Sequence, residues 1–155
     1  MTASGPAEGP AADWAQAYLD ALNSHDAGRM TAFLSEDSTY EDLAIGEFIQ
    51  GRENIREFAS QMESKLSSDY RFEYTGVTGD GEGYALEWTM TGTHDNGDPE
   101  HGLPATGRSF QIRGVSVGRQ QDGWIVRNRD YWNLANFLQQ VGLMPAPGDS
   151  APTGS

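Results

Sequence analysis

Near Asp69 the apolar residues of this chain stop recurring every three or four positions and begin to alternate. That change of period, from about 3.6 to 2, separates helices from strands along one polypeptide and limits the fold more than any other feature. Upstream, AADWAQAYLDALNS (11–24) spaces Trp14, Tyr18, Leu19 and Leu22 as one helical stripe, and RENIREFASQMESKL (52–66) does the same with Ile55, Phe58, Met62 and Leu66. Between them AGRMTAFL reads as a short helix broken by Ser35 to Thr39, and TYEDLAIGEFIQG as a short hairpin or extended pair around Gly46. Downstream, Tyr70, Phe72 and Tyr74 alternate with Arg71 and Glu73, and Leu86, Trp88 and Met90 with Glu87, Thr89 and Thr91. Such strands are half-buried and antiparallel, and TGDGEG links them as a turn. DNGDPEHGLPATG (95–107) is a loop, 108–119 and 124–132 are further strands, and 133–142 closes the chain as a helix burying Leu134, Phe137, Leu138 and Val141. Helices first and strands afterward predict an α+β fold.

The Gly-, Pro-, Ala- and Ser-rich ends, 1–10 and 145–155, read as disordered tails, leaving one domain over 11–144. With 23 acidic against 10 basic residues and a formal charge of −13, the chain's field repels phosphate backbones and anionic membranes, so nucleic acid and membrane are not expected partners. There is no cysteine, hence no disulfide and no thiolate nucleophile or ligand. Neither a spanning apolar run nor a signal-like start is present, and a cytoplasmic location is expected. Metal-ligand spacing of the HxxxH kind and Gly-rich phosphate loops are both missing, so no metal or other cofactor is expected.

One acid stands out. In RNRDYWNLANFLQQVG (127–142), Asp130 shares a strand face with Val126, Asn128 and Trp132, two of them apolar. An inward carboxylate needs a partner or carries a raised pKa. On the residues alone, two readings stand: a structural ion pair with Arg113, Arg127 or Arg129, or a reactive acid buried among Trp88, Tyr131 and Trp132.

Three stretches, YLDALNSHDAGRMTAFLSEDSTYEDLAIGEFIQGRENIREF, GLPATGRSFQIRGVSV and DGWIVRNRDYWNLANFLQQVGL, resemble the SnoaL-like polyketide cyclases. These belong to the superfamily of nuclear transport factor, ketosteroid isomerase and limonene epoxide hydrolase. The resemblance implies a cone-shaped, curved, mostly antiparallel sheet wrapped by N-terminal helices, a deep apolar pocket, and often a homodimer through the sheet's outer surface. Val115 and Val117, with Gln111 and Arg113, would face that surface.

The resemblance also implies roles. Asp130 matches the acid/base of the cyclases and an active-site aspartate of the epoxide hydrolase. Asp42 matches the general base of the isomerase, Tyr18 its oxyanion-hole tyrosine, and Tyr40 a pocket tyrosine of the hydrolase. Departures matter equally: the isomerase's second acid falls near Gly114 and Val115, the hydrolase's arginine and second aspartate fall near Trp88 and Met90, and the cyclases' histidine falls at Ser116. His94, in line with Leu86, Trp88 and Met90 on a regular strand, could replace that histidine; His25 and His101 are expected in solvent. Trp88, Met90, Phe110, Ser116, Asn128 and Trp132 are the expected substrate-binding residues. Together these imply a cofactor-independent cyclase or isomerase using carboxylate acid/base chemistry on a hydrophobic polyketide-like small molecule. The alternatives are an epoxide hydrolase or epoxide-opening cyclase, and a non-catalytic ligand-binding or interaction module.

Overall fold

In the computed structural model, residues 4–145 and residue 148 are described. The period change falls where the sequence places it. The helical half comprises α1 (Ala11–Asn23), α2 (Ala27–Thr31) and α3 (Arg52–Lys65), interrupted by β1 (Leu34–Asp42) and β2 (Glu47–Gln50). The alternating half comprises β3 (Arg71–Gly79), β4 (Gly83–Thr93), β5 (Ser109–Gln121) and β6 (Trp124–Trp132), and α4 (Leu134–Gln140) follows. Asp26 and Asn133 cap α2 and α4 with side-chain oxygens that accept the amides of Gly28 and Asn136, each at 2.9 Å.

The six strands form one sheet in the order β2-β1-β6-β5-β4-β3, with β1 parallel to β6 and every other pair antiparallel. This is the expected α+β architecture. Register shifts interrupt β1/β6, β3/β4 and β5/β6, and bulges of this kind bend a sheet. The curved sheet is wrapped by helices, α1 packing on β3, α3 on β1 and α4 on β5.

Three local expectations are corrected. Ser35 to Thr39 does not end at a helix boundary but runs through β1; its polar residues coincide with the shift in which β1 advances from Leu34 to Thr39 while β6 advances only from Ile125 to Arg127. Val126 is off the inner face of β6, because the pairing with β5 jumps across it and buried Ile125 takes the inward place. The N-terminal stretch is not free along its length: the amides of Gly5 and Ala7 donate to Asp122 O (2.8 Å) and Gly123 O (2.7 Å), and Ala7 is 1% exposed. Most of the expected C-terminal tail, 145–155, lies outside the described residues. Among those residues no helix is long and apolar enough to cross a membrane.

The inner face of β5 reads Gly114, Ser116, Gly118 in succession. A Cβ at Gly114 would lie 2.2 Å from the Trp88 ring, and one at Gly118 2.3 Å from the Tyr84 hydroxyl, so both aromatic side chains of β4 lie across β5 only because these positions lack side chains. Gly114→Ala and Gly118→Ala should each cost about 1–3 kcal/mol in urea unfolding. Gly83→Ala, where the nearest atom is 3.7 Å from the new Cβ, should cost clearly less. Equal losses at all three would contradict this account of β5.

Candidate active site

Strand register builds the site. Asp42 pairs with Asp130 across β1/β6, Asp130 with Ser116 across β6/β5, and Ser116 with Leu86 across β5/β4. One rung away, Tyr40, Asn128, Gly118 and Tyr84 are likewise successive partners. Side chains of both rungs point to the concave face because alternate residues of a strand share a face. There Tyr40, Asp42, Ser116 and Asp130 meet a cavity of about 190 Å³. Its apolar walls come from the sheet (Trp88, Met90, Ile112) and from the helices (Leu22, Phe58, Phe137), and Tyr18, Tyr40, Asp42, Ser116, Asp130 and Trp132 supply polar groups.

Asp130 is buried and its carboxylate faces donors instead of a cation. Ser116 Oγ (2.6 Å) and Asn128 Nδ2 (2.9 Å) donate to Oδ1, and the Tyr40 hydroxyl donates to Oδ2. Two of these donors are themselves oriented: Trp88 Nε1 donates to Ser116 Oγ (2.9 Å), and the Tyr84 hydroxyl to Asn128 Oδ1 (2.6 Å). Each outer donor fills an acceptor position of the inner group and leaves its hydrogen for Asp130. The ion-pair reading is overturned: among the described residues no basic side chain bridges Asp130, and Arg129 pairs instead with Glu41 at 3.4 Å. Burial pushes the Asp130 pKa up to about 6 against the opposing pull of Ser116, Tyr40 and Asn128, with the Asp42 charge adding to the rise.

Asp42 is held differently. Trp132 Nε1 donates to both its oxygens (3.0 Å each), and the amides of Ala44 (3.0 Å) and Ile45 (3.3 Å) donate to Oδ1. Burial raises its pKa and these bonds oppose the rise. The carboxylate therefore fastens the β1–β2 turn to a wall of the cavity while still lining it. Tyr18 also lines the cavity, and its buried hydroxyl has no hydrogen-bond partner. Burial, with the Asp130 charge second, raises its pKa well above the ordinary phenol value, so it is a donor and not a phenolate.

Of the expected residues, Asp130, Asp42, Tyr18, Tyr40, Trp88, Met90, Ser116 and Trp132 converge on the cavity. His94 does not. It is 0% exposed, both ring nitrogens face carbonyl oxygens, Leu66 O (2.9 Å) and Pro104 O (3.0 Å), and Phe137 packs edge-on against it, so no ring nitrogen is left for a substrate. Phe110 is buried against Phe137 behind the wall, and Asn128 is spent on Tyr84 and Asp130; neither lines the cavity. Tyr131 points to the outer surface, 39% exposed, and does not bury Asp130. His25 is not in solvent but stacked on Tyr70, with Nε2 against Tyr70 O at 2.8 Å. His101 is exposed, as expected, with Nδ1 on Asp98.

Sequence reading missed the far wall. Phe58, Met62 and Leu66 were legible as a helical stripe, but a stripe facing a cavity has the same spacing as one facing a core. Ile45, Lys65, Asp98 and Leu103 come from a turn, a helix end and a loop that carry no period at all. Among the described residues no group of three or more His, Asp or Glu side chains converges as a metal site.

A cone-like α+β sheet closed over a buried, cation-free carboxylate defines a class of small-molecule pocket proteins. Within that class the chain belongs to the SnoaL-like domain family, whose model matches residues 15–128. A candidate polyketide cyclase from Xanthomonas campestris pv. campestris is 30% identical over 81% of this chain and 92% of its own, with a TM-score of 0.70. A protein of ketosteroid isomerase-like fold from Catenulispora acidiphila, solved with trimethylamine, is 21% identical over 83% of this chain and 91% of its own, with a TM-score of 0.72. An LEH-like epoxide hydrolase from M. tuberculosis is 21% identical over 81% of this chain and 84% of its own, with a TM-score of 0.62. The last two share the fold.

A carboxyl whose pKa rises on folding from 3.8 to about 6 favours the folded state most below pH 3.8, and that contribution is lost as pH rises through 6. The loss amounts to about 3 kcal/mol. Asp130→Asn carries no such dependence, so its stability relative to wild type should improve by about that much between pH 4 and pH 8 in urea unfolding. Adding Tyr84→Phe to the wild type loosens Asn128 and should move the transition to higher pH. A pH-independent difference between wild type and Asp130→Asn would contradict the assignment.

Proposed function

We propose that the chain is a cofactor-independent cyclase or isomerase that moves a proton next to a carbonyl of a hydrophobic, polyketide-like molecule. The observation that carries this reading is Asp130: buried, bridged by no basic side chain, wired to three donors and half-ionised near pH 6. A group with that proton affinity can accept and return a proton near neutrality. Ionised Asp130 would take a proton from carbon through Oδ2, the oxygen that receives one bond where Oδ1 receives two. The electron pair left behind moves into an enolate, whose oxygen meets the free Tyr18 hydroxyl. The enolate carbon then attacks a second carbonyl and closes a ring, the new alkoxide taking the proton back from Asp130, or a conjugated enolate is reprotonated by Asp130 at a different carbon and the double bond moves. Asp42, whose Oδ1 takes the amides of Ala44 and Ile45 while its Oδ2 receives only the shared Trp132 N–H, is the second base and also holds the turn that shapes the chamber.

We also propose a homodimer through the outer face of the sheet, where Val117, Tyr131 and Phe48 are exposed. Val117→Asp should shift the sedimentation coefficient from dimer to monomer; a wild type that sediments as a monomer at micromolar concentration would remove this contact from consideration.

The reading is testable without the natural substrate. With 2-tetralone in D2O, the protein should accelerate α-deuteration, with a rate that climbs through about pH 6 and then levels as Asp130 ionises. Asp130→Asn should stay folded and lose about 100-fold or more of that rate. A wild type that does not accelerate exchange would leave a binding role as the better account, and acceleration that survives the substitution would remove Asp130 as the base.

A further inference from the structure

Lys65 is the only lysine in the 155-residue sequence, and it lines the cavity. Among the described residues no other cation does so; the nine arginines stand elsewhere. It sits in the last turn of α3, 43% exposed by side chain, where the wall gives way to solvent. Across from it, the β4–β5 loop brings Asp98 and Leu103 to the same rim, paired by a backbone bridge, with Asp98 N on Leu103 O at 2.7 Å and Leu103 N on Asp98 O at 3.0 Å.

The ion pair at this rim is loose. Lys65 Nζ stands 3.8 Å from Asp98 Oδ2, beyond hydrogen-bonding distance, whereas His101 Nδ1 donates to that same oxygen at 2.7 Å. Asp98 therefore keeps a close donor when Lys65 turns away, and the ammonium can change partners without stranding a half-buried carboxylate. From α3 and its C-cap the other groups that line the cavity beside it are Phe58, Gln61, Met62 and Leu66, none of them charged.

We propose that Lys65 binds a carboxylate on the substrate, whose apolar body fills the aromatic chamber while its acid group reaches the rim and displaces Asp98. This rests on the cavity being the substrate chamber, and it names the substrate class: an amphiphilic carboxylic acid with its reacting carbon at the Asp130 end. At 43% exposure the contact is partly screened by solvent, while the apolar lining rejects an acid placed deeper in the chamber.

Three naphthalene probes of matched body separate the outcomes: 2-naphthoate, neutral 2-naphthol and 2-naphthylmethylammonium, each titrated by quenching of the tryptophans at pH 7.5. Wild type should bind naphthoate most tightly. Lys65→Met should weaken naphthoate about tenfold and leave naphthol within about twofold, and Asp98→Asn, which releases the ammonium, should tighten naphthoate. The proposal fails if wild type does not bind naphthoate, if it prefers naphthol or the ammonium probe, or if Lys65→Met changes naphthoate and naphthol alike. Repeating the series in Asp130→Asn keeps this test apart from the catalytic one, because the binding ratio should persist where proton transfer is lost.

Discussion

A carboxylate taken out of water must be solvated by the protein, and the site follows from how this chain does so for Asp130. A cation would hold the group ionised and inert as a base. Hydroxyl and amide donors alone would solvate it almost as fully in a wet site. The combination present here, deep burial countered by Ser116, Asn128 and Tyr40, places its proton affinity between those limits. Because burial outweighs the donors, the folded state bears a cost near neutrality that a neutral side chain would avoid.

That solvation depends on β5. The inner-face succession Gly114, Ser116, Gly118 leaves room on either side of the serine for Trp88 and Tyr84 to lie across the strand. From there each aromatic donates to one partner of Asp130, Trp88 to Ser116 and Tyr84 to Asn128. The same two side chains thus serve packing and proton affinity together, and a methyl group on either glycine would disturb both. Where the resemblance to the isomerase looks for a second acid, this chain has the Gly114 gap with the Trp88 ring over it. Asp42 completes the division of labour: tied to Trp132 and to the amides of the β1–β2 turn, it holds the chamber's shape.

The far side of the cavity is assembled from unrelated parts, the Phe58 and Met62 face of α3, the tip of the β1–β2 turn and the β4–β5 loop. Its cohesion comes from side chains gripping backbone. Asn96 Nδ2 donates to Glu63 O at 2.8 Å, and His94 sits between Leu66 O and Pro104 O. His94 is thus a strut between α3 and the loop, which explains why a histidine in register with pocket residues never reaches the pocket. Lys65 and Asp98 end this seam as its most weakly joined pair.

From its residues alone the chain was legible wherever a property repeats along it. Two helical stripes, an alternating half and a terminal helix follow from spacing, because a face buried against a neighbour must be apolar at the period of its own element. Asp130 was legible as an inward acid for the same reason, and its resemblance to an acid/base position pointed to the pocket. Identity of partners was not legible, because it depends on register: whether Asp130 meets an arginine or a serine is set by which residues of β5 and β1 lie beside it, and irregularities shift that alignment along both pairings of β6. The same holds for His94, turned from candidate to strut by a loop and a helix end far from it in sequence, and for Lys65, whose place at the rim comes from the end of α3 meeting the loop. Periodicity is a local property of the chain, whereas the neighbours of a buried polar group are chosen by packing of segments distant in sequence, and only the tertiary structure decides them.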